Sequence, residues 1–276
     1  MAKLSVLMSI YIKEKVEYAD ACFKSLLGQT EKADEWVVVE DGPLTEEMYS
    51  LLDRYQADNP GLIKRVPLKT NQGLGLALRA GVPECKNELI ARMDTDDIAR
   101  EDRFEIQLQA FYEDPELDIC GSQIDEFEDN VECIVARRAV PTEHSEIREY
   151  QKKRDAFNHM TVMYKKSAVL KAGNYQSCPL MEDTFLWVRM LMSGAKAKNI
   201  DDSLVFVRIG KDMYARRGGW DYFKKYKEGR KRVYETGFIS FWDYISTLSI
   251  QLIVAVAPKD IRGWIYKKKL HAKDAS

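Results

Sequence analysis

Three aspartates that directly follow an apolar segment are the residues of this chain best suited to chemistry. The stretch Glu88–Asp97 reads ELIARMDTDD, and its apolar residues predict a buried strand that ends at Asp94, Asp96 and Asp97. Carboxylates this close repel one another, so the cluster requires a cation or strong hydrogen-bond donors. Carboxylate oxygens suit Mg²⁺ and Mn²⁺, which also bind phosphates. The pattern therefore predicts a divalent metal site, and a solvated acidic turn is the alternative.

Two other predicted strands also end in polar turns. The strand Leu4–Ile10 runs into Tyr11, and the strand Trp36–Val39 runs into EDGP at positions 40–43. The carboxyl ends of neighbouring parallel strands lie on one edge of an open α/β sheet, where ligands bind. We therefore expect a nucleotide at this edge, with Asp41 accepting a hydrogen bond from the base. A simple turn is the alternative for Asp41.

A glycine loop, NQGLG at positions 71–75, precedes a predicted helix that extends to about Gly81. Gly73 and Gly75 have no side chain, so the backbone can approach a ligand closely there. The loop does not match GxGxxG, which gives a dinucleotide cofactor little support. The alternative is an ordinary loop at the start of a helix.

The remaining pattern supplies the elements that position these turns. Strands and helices alternate in the first part of the chain, which predicts a parallel sheet with helices on both faces. The other predicted helices are Val16–Leu27, Thr45–Tyr55 with Thr45 as N-cap, a polar helix Thr142–Lys153, and Thr184–Met192 opened by Glu182-Asp183. The other predicted strands are Leu62–Val66, Leu117–Ile124 and Leu204–Ile209, with a hairpin over Phe127–Ala139.

Composition excludes several classes of protein. The chain has 276 residues, 45% hydrophobic and 31% charged, which indicates a globular protein. A net charge of -2 argues against a general nucleic-acid binder. The five cysteines have no paired spacing, so we expect free thiols in a reducing compartment. We also expect no signal peptide, and Tyr244–Pro258 falls short of the roughly 20 apolar residues that a membrane span needs.

The C-terminal part differs in character from residues 1–210, so residues 211–276 are interpreted as a separate helical extension. Lys211–Arg232 contains nine basic and three acidic side chains, a net charge of +6, with aromatic residues between them. Phe238–Pro258 is strongly apolar, and Lys267–Lys269 is basic again. Such a segment suits the surface of an anionic membrane. The alternative is a helix packed on the core or in a homodimer.

Taken in order, seven stretches of the chain resemble the motifs of family 2 glycosyltransferases with the GT-A fold, of the kind that builds bacterial capsular and exopolysaccharides. They are SVLMSIY (5–11), SLLGQT (25–30), VVVEDGP (37–43), NQGLGLALRAG (71–81), ELIARMDTDDIAREDRFEIQ (88–107), FNHMTVMYKKSAVLKAGNY (157–175) and EDTFLWVRMLMSG (182–194). The chain departs from the family at Glu40, Pro43 and Met160, where many members have Asp, Ser and Pro. None of these departures removes a carboxylate that the chemistry needs.

The resemblance implies a mixed, mainly parallel α/β sheet with helices on both faces. It also implies an inverting transfer of a sugar from a nucleotide-sugar, with a UDP-sugar as the expected donor, to a lipid-linked saccharide at the cytoplasmic face of the membrane. It implies that Asp41 binds the nucleobase, that Asp94 and Asp96 form the DxD pair for ribose and Mn²⁺ or Mg²⁺, and that Asp183 is the catalytic base. Arg92 is assigned either to phosphate or to an ion pair with an aspartate. The other nucleotide-sugar residues in this interpretation are Tyr11, Asn71, Gly75 and Thr95, and the acceptor-side residues are His159, Glu182 and Trp187.

Several alternatives stay open at the level of sequence. A phosphohydrolase could use Asp94 as nucleophile and Asp96 as acid, although that design usually places the pair after the first strand. A membrane-associated subunit could keep the nucleotide-sugar site without activity. His159 is either an acid or base or a hydrogen-bonded structural histidine, and Trp187 either stacks on a sugar or belongs to the core. Arg216 or Arg217 could lie near the donor phosphates.

Overall fold

The computed structural model describes residues 3–210 and 218–256. The strands in these ranges are β1 (Leu4–Ile10), β2 (Glu35–Glu40), β3 (Ile63–Pro67), β4 (Leu89–Arg92), β5 (Ile98–Ala99), β6 (Leu117–Phe127), β7 (Ile134–Arg138), β8 (Met163–Lys165) and β9 (Lys196–Arg208). The helices are α1 (Val16–Leu27), α2 (Glu46–Asp58), α3 (Leu74–Glu84), α4 (Arg103–Glu113), α5 (His144–Gln151), α6 (Lys166–Lys171), α7 (Glu182–Met192), α8 (Trp220–Glu235) and α9 (Phe241–Val256). A 3₁₀ turn covers His159–Thr161.

The strands form one mixed sheet in the order β3-β2-β1-β4-β8-β6-β9-β5, with β7 paired to β6. The strands β3, β2, β1 and β4 are parallel. Because β8 is antiparallel to both β4 and β6, and β9 is parallel to β6, the strands β4, β6 and β9 run in the same direction. Their carboxyl ends therefore lie on one edge of the sheet together with those of β1 and β2.

Helices cover both faces of the sheet, as the alternating pattern predicts. Alternate residues of β1 point to opposite faces, so that Val6 and Met8 pack in one cluster with α1, α2 and α4. Leu7 packs in the other cluster with α3, α5, α6 and α7. Burial on both faces explains the unbroken apolar run in β2, whose residues are all buried.

The predicted elements agree with the structure apart from their boundaries. The helix Val16–Leu27 has the expected limits, and the Thr45 hydroxyl caps α2 by accepting a hydrogen bond from the Met48 amide at 3.2 Å. The predicted strand Leu204–Ile209 is only the end of β9, which begins at Lys196. The first half of β9 is polar and partly exposed, so apolar periodicity gives no signal for it.

Helix α8 packs on α7, and α9 packs on α8. Phe185 and Val188 of α7 share a small apolar cluster with Val233 of α8 and with Ile239. Within residues 3–210 and 218–256, no helix is both long and apolar enough to cross a membrane. Arg216, Arg217 and the basic run Lys267–Lys269 lie outside the described residues.

Candidate active site

The aspartate cluster lies in the turn after β4, as predicted. Asp94, Asp96 and Asp97 each present an oxygen, and these atoms lie within 4.8 Å of one another. Buried Arg103 stabilises the start of the turn, because it donates hydrogen bonds to the Arg92 carbonyl at 2.8 Å and to Oε1 of Gln107 at 3.0 Å. The aspartates therefore occupy a fixed position at the sheet edge.

The electrostatics of the cluster fit a bound cation. Burial and the neighbouring Asp94 raise the pKa of Asp96 to about 6. Burial, with Asp96 and Asp94, raises the pKa of Asp97 well above its usual range. Burial also raises the pKa of Asp94, but Arg92 and His159 outweigh it, so the net pKa lies well below its usual range. A divalent ion with a preference for oxygen ligands would relieve this repulsion, so the residues present fit Mg²⁺ or Mn²⁺.

Arg92 is an internal ion-pair partner in the structure. Its side chain is fully buried, and Nη1 lies 2.7 Å from Oδ1 of Asp94. The ion pair with an aspartate that the sequence allows for Arg92 is therefore present in the structure. The assignment of Arg92 to a phosphate of the nucleotide-sugar stays a prediction.

Asp183 lies beside the aspartate cluster although the two are far apart in sequence. It is in the first turn of α7, and its side chain is 19% exposed. His159, on the 3₁₀ turn, lies between them: Nε2 is 3.1 Å from Oδ2 of Asp94, and Nδ1 is 3.7 Å from Oδ2 of Asp183. The histidine thus joins the predicted metal site to the predicted base.

Asp41 holds the glycine loop in place. Its Oδ1 accepts a hydrogen bond from the Gln72 amide at 2.7 Å, and its Oδ2 accepts one from the Gly73 amide at 3.0 Å. The Asn71 side chain donates to the Asp41 carbonyl at 3.2 Å. The Asp41 side chain is buried, so its partners in this structure are backbone amides. Asp41 follows β2 and Asp94 follows β4, and β1 lies between these two strands. The two strand ends are therefore two strand spacings apart, about 10 Å.

Gly75 allows the close approach of α7. A Cβ at Gly75 would lie 2.5 Å from Cγ and 2.8 Å from Cβ of Glu182. The space is therefore occupied by the first residue of α7, and the assignment of Gly75 to the nucleotide-sugar stays a prediction. Gly73, in contrast, has a φ of 86° and open space where a Cβ would be.

Two other predicted site residues are buried. Thr95 is 2% exposed, and its hydroxyl is hydrogen-bonded to Glu14. Trp187 is 1% exposed, with its ring 5.7 Å from that of Phe157 and 6.3 Å from that of Tyr175. Trp187 is therefore part of the core, and the ligand contacts assigned to Thr95 and Trp187 stay predictions. Tyr11 differs from both, because it is 41% exposed at the end of β1.

Two charged residues that were not predicted, Glu14 and Arg208, also lie at the site. The carboxylate of Glu14 is a fourth carboxylate beside the cluster. Burial, together with the charges of Asp96 and Asp94, raises its pKa to about 7. The Arg208 amide donates to Oδ1 of Asp97 at 2.9 Å, and its guanidinium lies 4.0 Å from the Tyr18 ring centre. Arg208 is the last residue of β9, so its position at a strand end is a sequence signal for it. Glu14 follows the end of β1 by a few residues and could have been found in the same way.

Comparison with known sequences gives one family and several relatives. Residues 5–173 match the model described as glycosyl transferase family 2. An uncharacterized glycosyltransferase of Haemophilus influenzae is 44% identical over 235 residues, covering 82% of this chain and 86% of that protein. The amylovoran biosynthesis glycosyltransferase AmsE of Erwinia amylovora is 37% identical, covering 96% and 98%. An Escherichia coli UDP-Gal:alpha-D-GlcNAc-diphosphoundecaprenol beta-1,3-galactosyltransferase is 35% identical, covering 96% of each chain.

Solved structures show the same fold at low sequence identity. A mannosyltransferase from Pyrobaculum calidifontis, solved with GDP-Man and Mn²⁺, superposes with a TM-score of 0.64 at 13% identity, covering 99% of this chain and 76% of that one. Residues 1–349 of TarS from S. aureus, solved with UDP-GlcNAc, give a TM-score of 0.62 at 14% identity, covering 99% and 74%. The expected GT-A architecture with additional C-terminal helices is confirmed.

Proposed function

Because the chain belongs to glycosyl transferase family 2, we propose that it is a metal-dependent, inverting glycosyltransferase that moves a sugar from a UDP-sugar to a lipid-linked saccharide. The observation that carries this proposal is the position of Asp183, which is joined through His159 to Asp94 of the aspartate cluster. Such a site offers a base for the acceptor beside a binding place for the donor diphosphate. The E. coli relative named for UDP-Gal supports a UDP-sugar as donor.

Each residue then has a defined task. Asp94 and Asp96 would hold Mn²⁺ or Mg²⁺, which neutralises the charge that develops on the leaving diphosphate. Asp183 accepts the proton of the acceptor hydroxyl as its oxygen bonds to the anomeric carbon. The bond from that carbon to the diphosphate oxygen breaks, and its electron pair leaves with the nucleotide. A single displacement of this kind inverts the anomeric carbon.

The contacts of Asp94 argue against the phosphohydrolase alternative. Its Oδ1 is paired with Arg92, and its Oδ2 faces His159. A carboxylate that is engaged at both oxygens, and whose pKa is well below its usual range, is a poor nucleophile. Asp94 is better suited to hold a cation than to attack phosphorus.

The outer face of α9 supports an acceptor in a membrane. The polar residues Thr247 and Gln251 are buried, and Arg230 of α8 donates to the Thr247 hydroxyl at 2.9 Å. The apolar residues Trp242 and Ile253 are 76% and 63% exposed. This exposed apolar face, beside a lysine-rich α8, suits a surface that is apolar and anionic. We propose that this face of α9 lies on the lipid surface.

Vesicle sedimentation tests this contact. We expect the full chain to sediment with vesicles that contain phosphatidylglycerol and to bind weakly to phosphatidylcholine alone. The double variant Trp242→Ser, Ile253→Ser should lose binding, whereas Tyr112→Ser, at a side chain 82% exposed on α4, should retain it. Concentration-dependent dimerisation through α9 without vesicle binding would show that a second copy covers this face.

A transfer assay tests the catalytic proposal. The wild-type protein is incubated with Mn²⁺, a panel of UDP-sugars beginning with UDP-Gal, and a saccharide linked to a lipid diphosphate. We expect a product whose anomeric configuration by NMR is opposite to that of the donor, and a rate of product formation from Asp183→Asn that is lower by about 10²–10⁴-fold. A retained configuration would contradict the single displacement. Nucleotide binding without turnover on any acceptor would favour the inactive binding subunit.

A further inference from the structure

His159 contacts two carboxylates that belong to different parts of the proposed reaction. Asp94 follows β4 and belongs to the donor side, and Asp183 opens α7 and belongs to the acceptor side. Each imidazole nitrogen faces one of them, Nε2 at 3.1 Å and Nδ1 at 3.7 Å. The second distance is longer than a direct hydrogen bond, and catalytic contacts commonly tighten when substrates bind.

Hydrogen bonds of the neighbouring residues fix the 3₁₀ turn that carries His159. The Thr161 amide donates to the Asn158 carbonyl at 2.8 Å and closes the 3₁₀ turn, and the Thr161 hydroxyl donates to the same carbonyl at 2.8 Å. The Asn158 side chain donates to the carbonyl of Ser122 in β6 at 2.8 Å, and both Asn158 and Thr161 are fully buried. The imidazole therefore stands on a fixed backbone, although its own side chain is 36% exposed.

Asp183 has few other groups to fix its orientation. Its Oδ1 is buried and has no hydrogen-bond partner among residues 3–210 and 218–256. The buried guanidinium of Arg92 acts on both Asp94 and Asp183 as a nearby positive charge. His159 is thus the side chain in the described part of the chain that lies against Oδ2 of Asp183 and also against Asp94.

We propose that His159 is a positioning residue that sets the catalytic base Asp183 relative to the donor-binding carboxylate Asp94. The inference rests on the proposed function, because it takes Asp183 as the base. Through Nε2 the ring fixes Asp94 for the donor, and through Nδ1 it orients Asp183 toward the acceptor hydroxyl. A ring that faces a carboxylate at each nitrogen has no remaining nitrogen for the acceptor, so His159 is not the base itself.

Two substitutions separate the two contacts. The amide nitrogen of His159→Gln can take the place of Nε2, and that of His159→Asn can take the place of Nδ1. We expect His159→Gln to keep Mn²⁺ and UDP affinity close to wild type while kcat falls by about 10–100-fold. We expect His159→Asn to lose about 10–100-fold in Mn²⁺ affinity, with a rise in KM for the donor and a smaller loss in kcat.

The matched control is the same pair of substitutions at His144. This histidine begins α5, and its Nδ1 accepts a hydrogen bond from the Ala197 amide at 3.1 Å, away from the aspartate cluster. Mn²⁺ affinity is measured by titration calorimetry, kcat and KM by transfer, and folding by thermal unfolding. Both His144 variants should leave Mn²⁺ affinity and KM unchanged.

The variants give outcomes that contradict the proposal clearly. If His159→Asn and His159→Gln change Mn²⁺ affinity and kcat to the same extent, or change neither, the two contacts are not separate and the proposal is overturned. A wild-type protein that binds Mn²⁺ but transfers no sugar contradicts the proposed function instead. In that case the Mn²⁺ affinities of His159→Asn and His159→Gln still test whether Nε2 positions Asp94. Equal affinities in these two variants would overturn that contact.

Discussion

Replacing Asp96 with asparagine should stabilise the metal-free protein while it removes the metal site. Burial and Asp94 raise the pKa of Asp96 from 3.8 to about 6. Each pKa unit corresponds to about 1.4 kcal/mol, so the charged side chain costs the folded state about 3 kcal/mol at most. Asp96 is partly exposed, and solvent screening reduces this to about 1–2 kcal/mol.

The pH dependence of the effect has a definite sign. Between pH 3.8 and about 6 the folded protein keeps a proton on Asp96 that the unfolded chain has released. The stability that this proton contributes is lost as the pH rises through about 6, and above it the folded protein bears the full cost of the charge. The gain from Asp96→Asn should therefore be largest near pH 8 and should shrink toward pH 4.

Thermal unfolding with and without Mn²⁺ measures this directly. For a chain of this size, 1–2 kcal/mol corresponds to an increase in Tm of about 2–4 °C. We expect Asp96→Asn to show that increase at pH 8 in EDTA and to lose the stabilisation that Mn²⁺ gives the wild-type protein. The control is Asp129→Asn, at an exposed carboxylate in the turn between β6 and β7. A destabilised Asp96→Asn, or one that Mn²⁺ still stabilises, would refute the reasoning.

Three further predictions concern the base, the pH and the helix contact. Asp183→Asn should lower kcat by about 10²–10⁴-fold without changing the thermal shift with UDP and Mn²⁺; a parallel loss of binding would contradict its role as base. Apparent Mn²⁺ affinity, measured by calorimetry, should weaken as the pH falls through about 7 and then 6, because protons on Glu14 and Asp96 compete with the ion. A constant affinity from pH 8 to pH 5 would show that these protons do not compete with Mn²⁺. Gly75→Ala should lower the free energy of unfolding in denaturant by about 1–3 kcal/mol and should lower kcat, because the new methyl group displaces Glu182 and the start of α7. Unchanged stability and kcat would show that α7 moves freely.

The sequence predicts the strand ends well because strand burial and turn chemistry are local. Asp94 and Asp96 occupy the expected edge, and Thr45 caps its helix as expected. The N-terminal end of β9 is not predictable from apolar periodicity, because the first half of the strand is polar and gains its strand structure by pairing with β6.

Contacts between distant segments account for the other differences. The space at Gly75 belongs to Glu182, more than one hundred residues away in sequence, and no local pattern shows this. Thr95 and Trp187 have the types of side chain that bind ligands, and only packing shows that they are buried. The bridge from Asp94 through His159 to Asp183 likewise depends on three segments that meet only in the fold.

Calorimetric titration of UDP into the purified protein, with Mn²⁺ and again with EDTA, shows whether the aspartate cluster binds the nucleotide diphosphate through a metal ion. We expect UDP binding that requires Mn²⁺ in the wild-type protein, is absent in Asp96→Asn and is retained in Asp183→Asn. UDP binding that is equally strong in EDTA, or that survives Asp96→Asn, would contradict a nucleotide-diphosphate site built on the aspartate cluster.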